Sequence, residues 1–280
     1  MKIYLANQSK KNTGGGSSFV RTFTKYARKA GIEFTDMRNA DFLFIPSASM
    51  IEKEHFDEMQ KTKKPILLRI DNILKNSRNR GAGMSRLLKY AKGANKIVFQ
   101  SSWAKNYLSP WLNKNDVNTN DSIIIYNGGD TEIFFPPAKL RSPAFDYRYL
   151  FIKNKRFDEA YYNFQLLSQK NPEARLTIIG RFPQELIENN FDFYDSEKVK
   201  YFNQIDDPNT IATIMRNNDV LLFPAFADAC PQTIIEARLC EMKIDLVNQV
   251  GGTREVMQLE REQITAEYMV NRYIDVFNML

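Results

Sequence analysis

Short apolar runs, each too brief for a helix, recur along the chain. They fall at Lys2–Ala6, Phe42–Ile45, Ile66–Ile70, Ile97–Phe99, Ile123–Tyr126, Tyr149–Ile152, Leu176–Ile179, Val199–Phe202 and Val220–Phe223, and they predict buried strands. Helical periods lie between them. Val20, Phe23, Ala27 and Ala30 form one apolar stripe on a helix ended by Gly31, Ile51–Gln60 and Phe157–Gln169 read as helices, and Ile264, Met269, Tyr273 and Phe277 recur near helical spacing within Arg261–Leu280. Repeated strand–helix alternation predicts parallel sheets covered on both faces, with ligands at the carboxyl ends of the strands. The turn Asn127-Gly128-Gly129-Asp130, ahead of Pro136-Pro137, marks a hinge. We therefore expect a first domain over 1–135, a second over 136–260, and a terminal helical segment over 261–280.

The stretch richest in chemistry runs from Asp219 to Glu255. The Val220–Phe223 strand is stopped by Pro224, a loop carries Asp228, and Pro231 stands where a helix begins, since its missing N–H needs no partner there. A helix start offers amides and the positive end of the dipole, so the N–H groups near Gln232, Thr233 and Ile234 suit a phosphate. Glu236, about one turn further in, could take hydrogen bonds from a pair of sugar hydroxyls, and Asp228 from a second sugar. Taken alone, an Asp and a Glu eight apart also describe a solvated helix face. The order of strand, proline, acid, helix and the Gly251-Gly252 turn is what points to one site. A second glycine loop, Gly14-Gly15-Gly16 with Ser17 and Ser18 at the following helix start, lies after the first strand and suits an anion or a sugar hydroxyl. It has neither the dinucleotide-binding spacing nor the Gly-Lys-Ser/Thr of a P-loop.

Asp228, seven residues, Glu236, and then Gly251-Gly252-Thr253-Arg254-Glu255 resemble the donor-site signature of retaining family-four glycosyltransferases, with Asp in place of the first Glu. Cys240-Glu241-Met242-Lys243 departs from the family's usual glycine and proline after this helix. Ile97-Val98-Phe99-Gln100-Ser101-Ser102 and Asn127-Gly128-Gly129-Asp130 are similar to two further family segments. The resemblance implies a GT-B fold: α/β, two facing Rossmann-like domains with a cleft between them, the last segment crossing back to the N-terminal domain. It implies transfer of a hexose from a nucleotide diphosphate sugar to an acceptor hydroxyl with retained anomeric configuration. Asp228 would hold the donor sugar, Glu236 the ribose, and Lys155 with the amides of Thr233 and Ile234 the diphosphate. Lys153 would stand in for the family's arginine, and Arg181, Gly251 and Gly252 complete the donor side. The Gly14–Gly16 loop with Ser17 would face the cleft. Where relatives place a histidine, this chain has Arg69-Ile70-Asp71-Asn72. Asp71 is thus the acceptor-side candidate, with helix capping as its other reading, and His55 reads as a surface residue. The absence of an Asp-x-Asp motif implies no metal and no cofactor beyond the nucleotide sugar. Val199–Phe202 with Asn203-Gln204-Ile205 matches where relatives hold the base.

Charge adds one feature. The chain carries a formal +6, but residues 1–135 hold 22 Lys and Arg against 12 Asp and Glu, and the rest 17 against 21, so the halves stand at +10 and −4. A basic first half, with Arg21, Lys25, Arg28 and Lys29 on one helix and Lys61, Lys63, Lys64, Lys75, Arg78 and Arg80 beyond it, suits either peripheral contact with an anionic membrane or an idle solvated face. A nucleic-acid module is disfavoured because the basic residues are not interleaved with aromatics as in RNA-binding motifs. Two other readings stand beside the transferase: a nucleotide-sugar-binding protein or partner subunit that has lost activity, and an epimerase acting on the same class of donor. With no leader-like start, no membrane-length apolar run and two cysteines lacking metal spacing, the expectation is a cytoplasmic protein, peripheral at the inner membrane face if the basic stripe is used.

Overall fold

The computed structural model describes residues 1–7, 15–71, 81–138, 148–152, 156–182, 197–225, 227–245 and 251–280. The chain forms two compact units. The first comprises Met1–Gly128, Asp228–Pro231 and Gly251–Leu280, and the second Gly129–Ala227 with Gln232–Val250. The division thus falls at Gly128/Gly129 instead of after residue 135, and residues 251–260 belong with the first unit although the hydrophobic pattern grouped them with the second. Among the described residues no helix is long and apolar enough to cross a membrane.

In the first unit six parallel strands stand in the order β2-β1-β3-β4-β5-β6. They are β1 (Lys2–Leu5), β2 (Glu33–Phe34), β3 (Phe42–Ile45), β4 (Ile66–Ile70), β5 (Lys96–Phe99) and β6 (Ile123–Ile124). Both faces are buried, so adjacent residues of one strand enter different cores. Leu67 joins Phe44 and Val98 against α1 (Gly15–Lys29) and α9 (Ala266–Asn278), whereas Leu68 joins Leu43 and Phe99 against α2 (Lys53–Lys61), α3 (Gly81–Gly93) and α4 (Ser102–Lys114). The α9 face is aromatic: Tyr273 lies 5.3 Å from Phe23 and 5.2 Å from Phe44, and Phe277 lies 5.8 Å from Phe44, ring centre to ring centre. This face was only partly visible in the sequence. Helix α1 buries Phe19, Thr22, Phe23, Tyr26 and Ala27, while Val20 is half-buried and Ala30 exposed.

The second unit is a five-stranded parallel sheet ordered β11-β10-β7-β8-β9. Its strands are β7 (Arg148–Ile152), β8 (Arg175–Ile179), β9 (Val199–Phe202), β10 (Val220–Leu222) and β11 (Lys243–Asp245). Phe151, Ile178 and Val199 pack against Ala160 and Phe164 of α5 (Phe157–Lys170). Helices α6 (Pro208–Arg216) and α7 (Gln232–Leu239) flank β10 in sequence. Asp207 caps α6 by accepting from the amides of Asn209 and Thr210, with Pro208 in its first turn.

Three local expectations change. Helix α1 starts at Gly15, so Gly15, Gly16 and Ser17 form its first turn instead of a preceding loop. Strands β2 and β11 were not foreseen, because both are too short to show a pattern, and β6 ends at Ile124, two residues before Tyr126. His55 is not a surface residue: its side chain is only 14% exposed, with Nε2 2.8 Å from the Tyr4 hydroxyl.

Candidate functional site

The acidic loop that follows β10 is seated on the double glycine. Asp228 and Gly251 form an isolated parallel bridge, and the Gly252 amide donates to the Asp228 carbonyl at 2.8 Å. Both glycines are required there. Gly251 has φ 86°, in the left-handed region, and a Cβ on Gly252 would stand 1.9 Å from the Ala229 carbonyl oxygen. The Asp228 carboxylate turns onto its own loop, Oδ1 accepting the Cys230 amide at 3.1 Å. This arrangement is an Asx turn within the loop.

Helix α8 (Gly252–Gln258) carries Glu255, which the sequence showed only as the end of a turn. Its carboxylate accepts the Ser102 and Trp103 amides at 2.8 and 2.6 Å and the Tyr126 hydroxyl at 2.6 Å. These two amides open α4, whose remaining first-turn donor Ala104 N–H goes to the Ser101 hydroxyl at 3.0 Å. A carboxylate at a helix N-terminus meets the positive end of the dipole. Burial, followed by the bond to Glu255, pushes the Tyr126 hydroxyl up to about 12. The Gly-Gly-x-x-Glu segment is therefore tied to the start of α4 and to Tyr126 after β6 at one end, and to the Asp228 loop at the other.

Asp71 stands at the carboxyl end of β4. The Ser47 hydroxyl donates to its Oδ1 at 2.9 Å, and Oδ2 lies 3.8 Å from the buried Arg69 guanidinium. Desolvation raises its pKa, while Arg69 and then Ser47 pull the other way without cancelling the rise. The first turn of α1 comes to the same place: a Cβ on Gly16 would lie 2.6 Å from Met50 Cε and 3.9 Å from Asp71 Oδ2. The helix-capping reading of Asp71 turns on residues 72–80, which lie outside the described residues. The structure thus brings Asp71, Gly16 and Ser47 together, and Ser47 and Arg69 had no sequence signal beyond position after or within a strand.

The second unit places Thr233 and Ile234 in the first turn of α7, where amides lie outside the helix's own ladder. Glu236 follows on the same helix and is half-buried. Arg181 is exposed just past the carboxyl end of β8, after Gly180 with φ 145°. Lys153, Lys155 and Gly14 lie outside the described residues, as do Asn72, Lys75, Arg78 and Arg80. A cavity of about 710 Å³, lined in part by Arg175, Thr177, Lys198, Lys200, Phe202 and Ile214, includes the Val199–Phe202 segment nominated for the base and none of the residues nominated for the sugars or the diphosphate. Among the described residues no group of three or more His, Cys, Asp and Glu side chains is placed to hold a metal ion.

Residues 148–267 match the family model described as glycosyl transferases group 1. No curated protein matches the sequence. Solved structures match over the whole chain. HepE of Anabaena, solved in complex with UDP and glucose, is 11% identical with a TM-score of 0.70, each chain covering 100% of the other. Sucrose-phosphate synthase from Thermosynechococcus elongatus is 13% identical at a TM-score of 0.67, over 99% of this chain and 98% of that one. AviGT4, a glycosyltransferase involved in avilamycin A biosynthesis, is 10% identical at 0.63, over 99% and 97%. At such identities the likeness establishes the fold.

Proposed function

We propose that the chain, with its GT-B fold and the match of residues 148–267 to the glycosyl transferases group 1 model, is a glycosyltransferase that moves a hexose from a nucleotide diphosphate sugar to an acceptor hydroxyl with retention of configuration. The observation that carries this reading is the seating of the Asp228 loop on Gly251-Gly252, immediately before the start of α7. It sets a carboxylate, a helix N-terminus and Glu236 in sequence, which is what a diphosphate with a sugar on each side requires. HepE and its complexes with UDP agree with a nucleotide donor.

In this reading Glu236 takes the ribose hydroxyls and the Thr233 and Ile234 amides take the diphosphate. Lys155, Lys153 and Arg181 supply the positive charge that the departing diphosphate needs, so that no metal ion is called for. The bond from the anomeric carbon to the diphosphate oxygen breaks, its electron pair leaving with the diphosphate. The acceptor oxygen joins the anomeric carbon on the same face, and its proton passes to an oxygen of the departing phosphate. Asp228 orients the donor sugar and Asp71 the acceptor. The acceptor is a hydroxyl of a glycan, a lipid-linked sugar or another alcohol. A basic α1 exposing Arg21, Arg28 and Lys29 suits work beside an anionic membrane.

Calorimetric titration with UDP, GDP and ADP tests the nucleotide half of this reading. One of them should bind the wild type, Glu236→Ala should weaken it about tenfold or more through loss of charged hydrogen bonds, and Asp228→Ala should leave it nearly unchanged. Equal weakening by both variants would contradict the assigned roles. Binding of none by the wild type would remove the nucleotide donor from the account.

A further inference from the structure

The first unit contains a buried polar chain that the reaction scheme above does not use. Asn127 is 5% exposed and Arg69 2% exposed, and both have their side chains committed. Arg69 Nη1 donates to the Pro46 carbonyl at 2.8 Å, its guanidinium carbon lies 3.8 Å from the centre of the Phe19 ring, and Nη2 donates to Asn127 Oδ1 at 2.9 Å. On its other side Asn127 Nδ2 donates to the Cys230 carbonyl at 3.0 Å and to Gln100 Oε1 at 3.2 Å, while its backbone N–H points at Cys230 Sγ at 3.3 Å.

Where these bonds go matters more than their number. The Cys230 residue is gripped on both sides of its backbone: its N–H by the Asp228 carboxylate and its C=O by the Asn127 amide. The same Arg69 that orients Asn127 lies 3.8 Å from Asp71. If the cluster served stability alone, apolar side chains of similar volume would do as well, since buried ionic groups return little of their desolvation cost. Its two ends instead reach the two carboxylates nominated for the reaction. A carboxamide accepts from the guanidinium through its oxygen and donates to a carbonyl through its nitrogen at once.

We propose that Arg69 and Asn127 are positioning residues for transfer: the Asn127 amide holds the Cys230 peptide so that the Asp228 loop keeps its path, and Arg69 fixes that amide while neighbouring Asp71. The catalytic consequence rests on the transferase reading, whereas the holding of the loop does not.

Cys230 reports on the loop directly. The chain has only two cysteines, Cys230 and Cys240, both buried, so a Cys240→Ala background leaves one thiol. Burial pushes the Cys230 thiol up to about 12, so its alkylation by iodoacetamide near neutral pH requires local opening. In that background Asn127→Asp keeps the acceptor for Arg69 but replaces the donor facing Cys230 and Gln100 with an acceptor. Arg69→Lys keeps the charge beside Asp71 and loses the forked reach to Pro46 and Asn127; it serves if Asn127→Asp does not fold. The measurements are alkylation rate under native conditions, the global unfolding midpoint, and donor turnover per folded molecule well below that midpoint. We expect alkylation about tenfold or more faster than the global destabilisation accounts for, as the loss of a buried donor implies. We expect kcat to fall by at least a similar factor with the nucleoside diphosphate Kd within about twofold of the parent. Alkylation and turnover that follow global stability alone would overturn the proposal. A parent that turns over no donor would sink the transferase reading and the catalytic consequence together, and the thiol rate would still decide whether Asn127 holds the loop.

Discussion

Asp71 shows what a single residue's surroundings do. Its carboxyl is desolvated more than Arg69 and Ser47 compensate, so its native pKa lies above its unfolded value of 3.8. Folding therefore favours the protonated form. The resulting stability is full below pH 3.8 and is lost as pH rises through the native value, after which it levels. Asparagine in place of Asp71 still accepts from Ser47 and does not titrate. Urea midpoints across an acid-to-neutral series should show wild type losing ground to Asp71→Asn as pH rises, and a flat or reversed difference would contradict the burial argument. Gly252 makes a steric case. A methyl there meets the Ala229 carbonyl at 1.9 Å, so Gly252→Ala must move the Asp228 loop, lowering both the melting temperature and donor turnover. Unchanged turnover would mean the loop's path does not matter. At this scale the sequence was informative wherever backbone geometry forces a residue type. Gly251 and Gly252 were visible because a turn of that shape needs glycine. Arg69 was not, because a buried arginine in a strand pattern looks like an interruption until its partners are known.

At the scale of elements, α4 and α8 carry the connection between the β5 end and the acidic loop. The α4 N-terminus is satisfied twice, by Ser101 and by Glu255. Ser101→Ala removes one cap and should cost about 1 kcal/mol. Glu255→Ala removes charged hydrogen bonds to two amides and a tyrosine, and should cost about 2 kcal/mol or more. Chemical denaturation ranks the two, and the reverse order would show that Ser101 is the principal cap. Strand positions such as Phe42–Ile45, Ile66–Ile70 and Val199–Phe202 were legible to the residue, since short, mostly apolar runs between turn residues have little else to be, even with Arg69 or Lys200 inside them. The start of α1 was not. Three glycines read as a loop, yet Gly15 and Gly16 enter the helix, and a Cβ at Gly16 would press on the Met50 methyl at 2.6 Å.

At the scale of the whole molecule, the first unit is built from three stretches of chain, 1–128, 228–231 and 251–280. Hydrophobic period shows that a helix has an apolar face; it does not say which sheet the face meets. Hence α9 could be foreseen as a helix from its period and its return to the N-terminal domain from the resemblance, whereas its contacts with Phe23 and Phe44 came only from the structure. Phe277→Ala should destabilise the chain by about 3–5 kcal/mol, the usual cost of emptying a buried aromatic site, and a smaller loss by denaturation would mean α9 is a loose addition. The charge imbalance between halves belongs to this scale as well, and it bears on what the surface meets, not on the fold.

The most direct test of the account is to incubate the protein with a series of nucleotide diphosphate sugars and follow the released sugar by proton NMR at early times. The account predicts cleavage of a donor, with the free sugar first seen in the donor's own anomeric configuration and the signal lost in Asp228→Ala and Glu236→Ala. An inverted first product, or turnover that survives both substitutions, would contradict it.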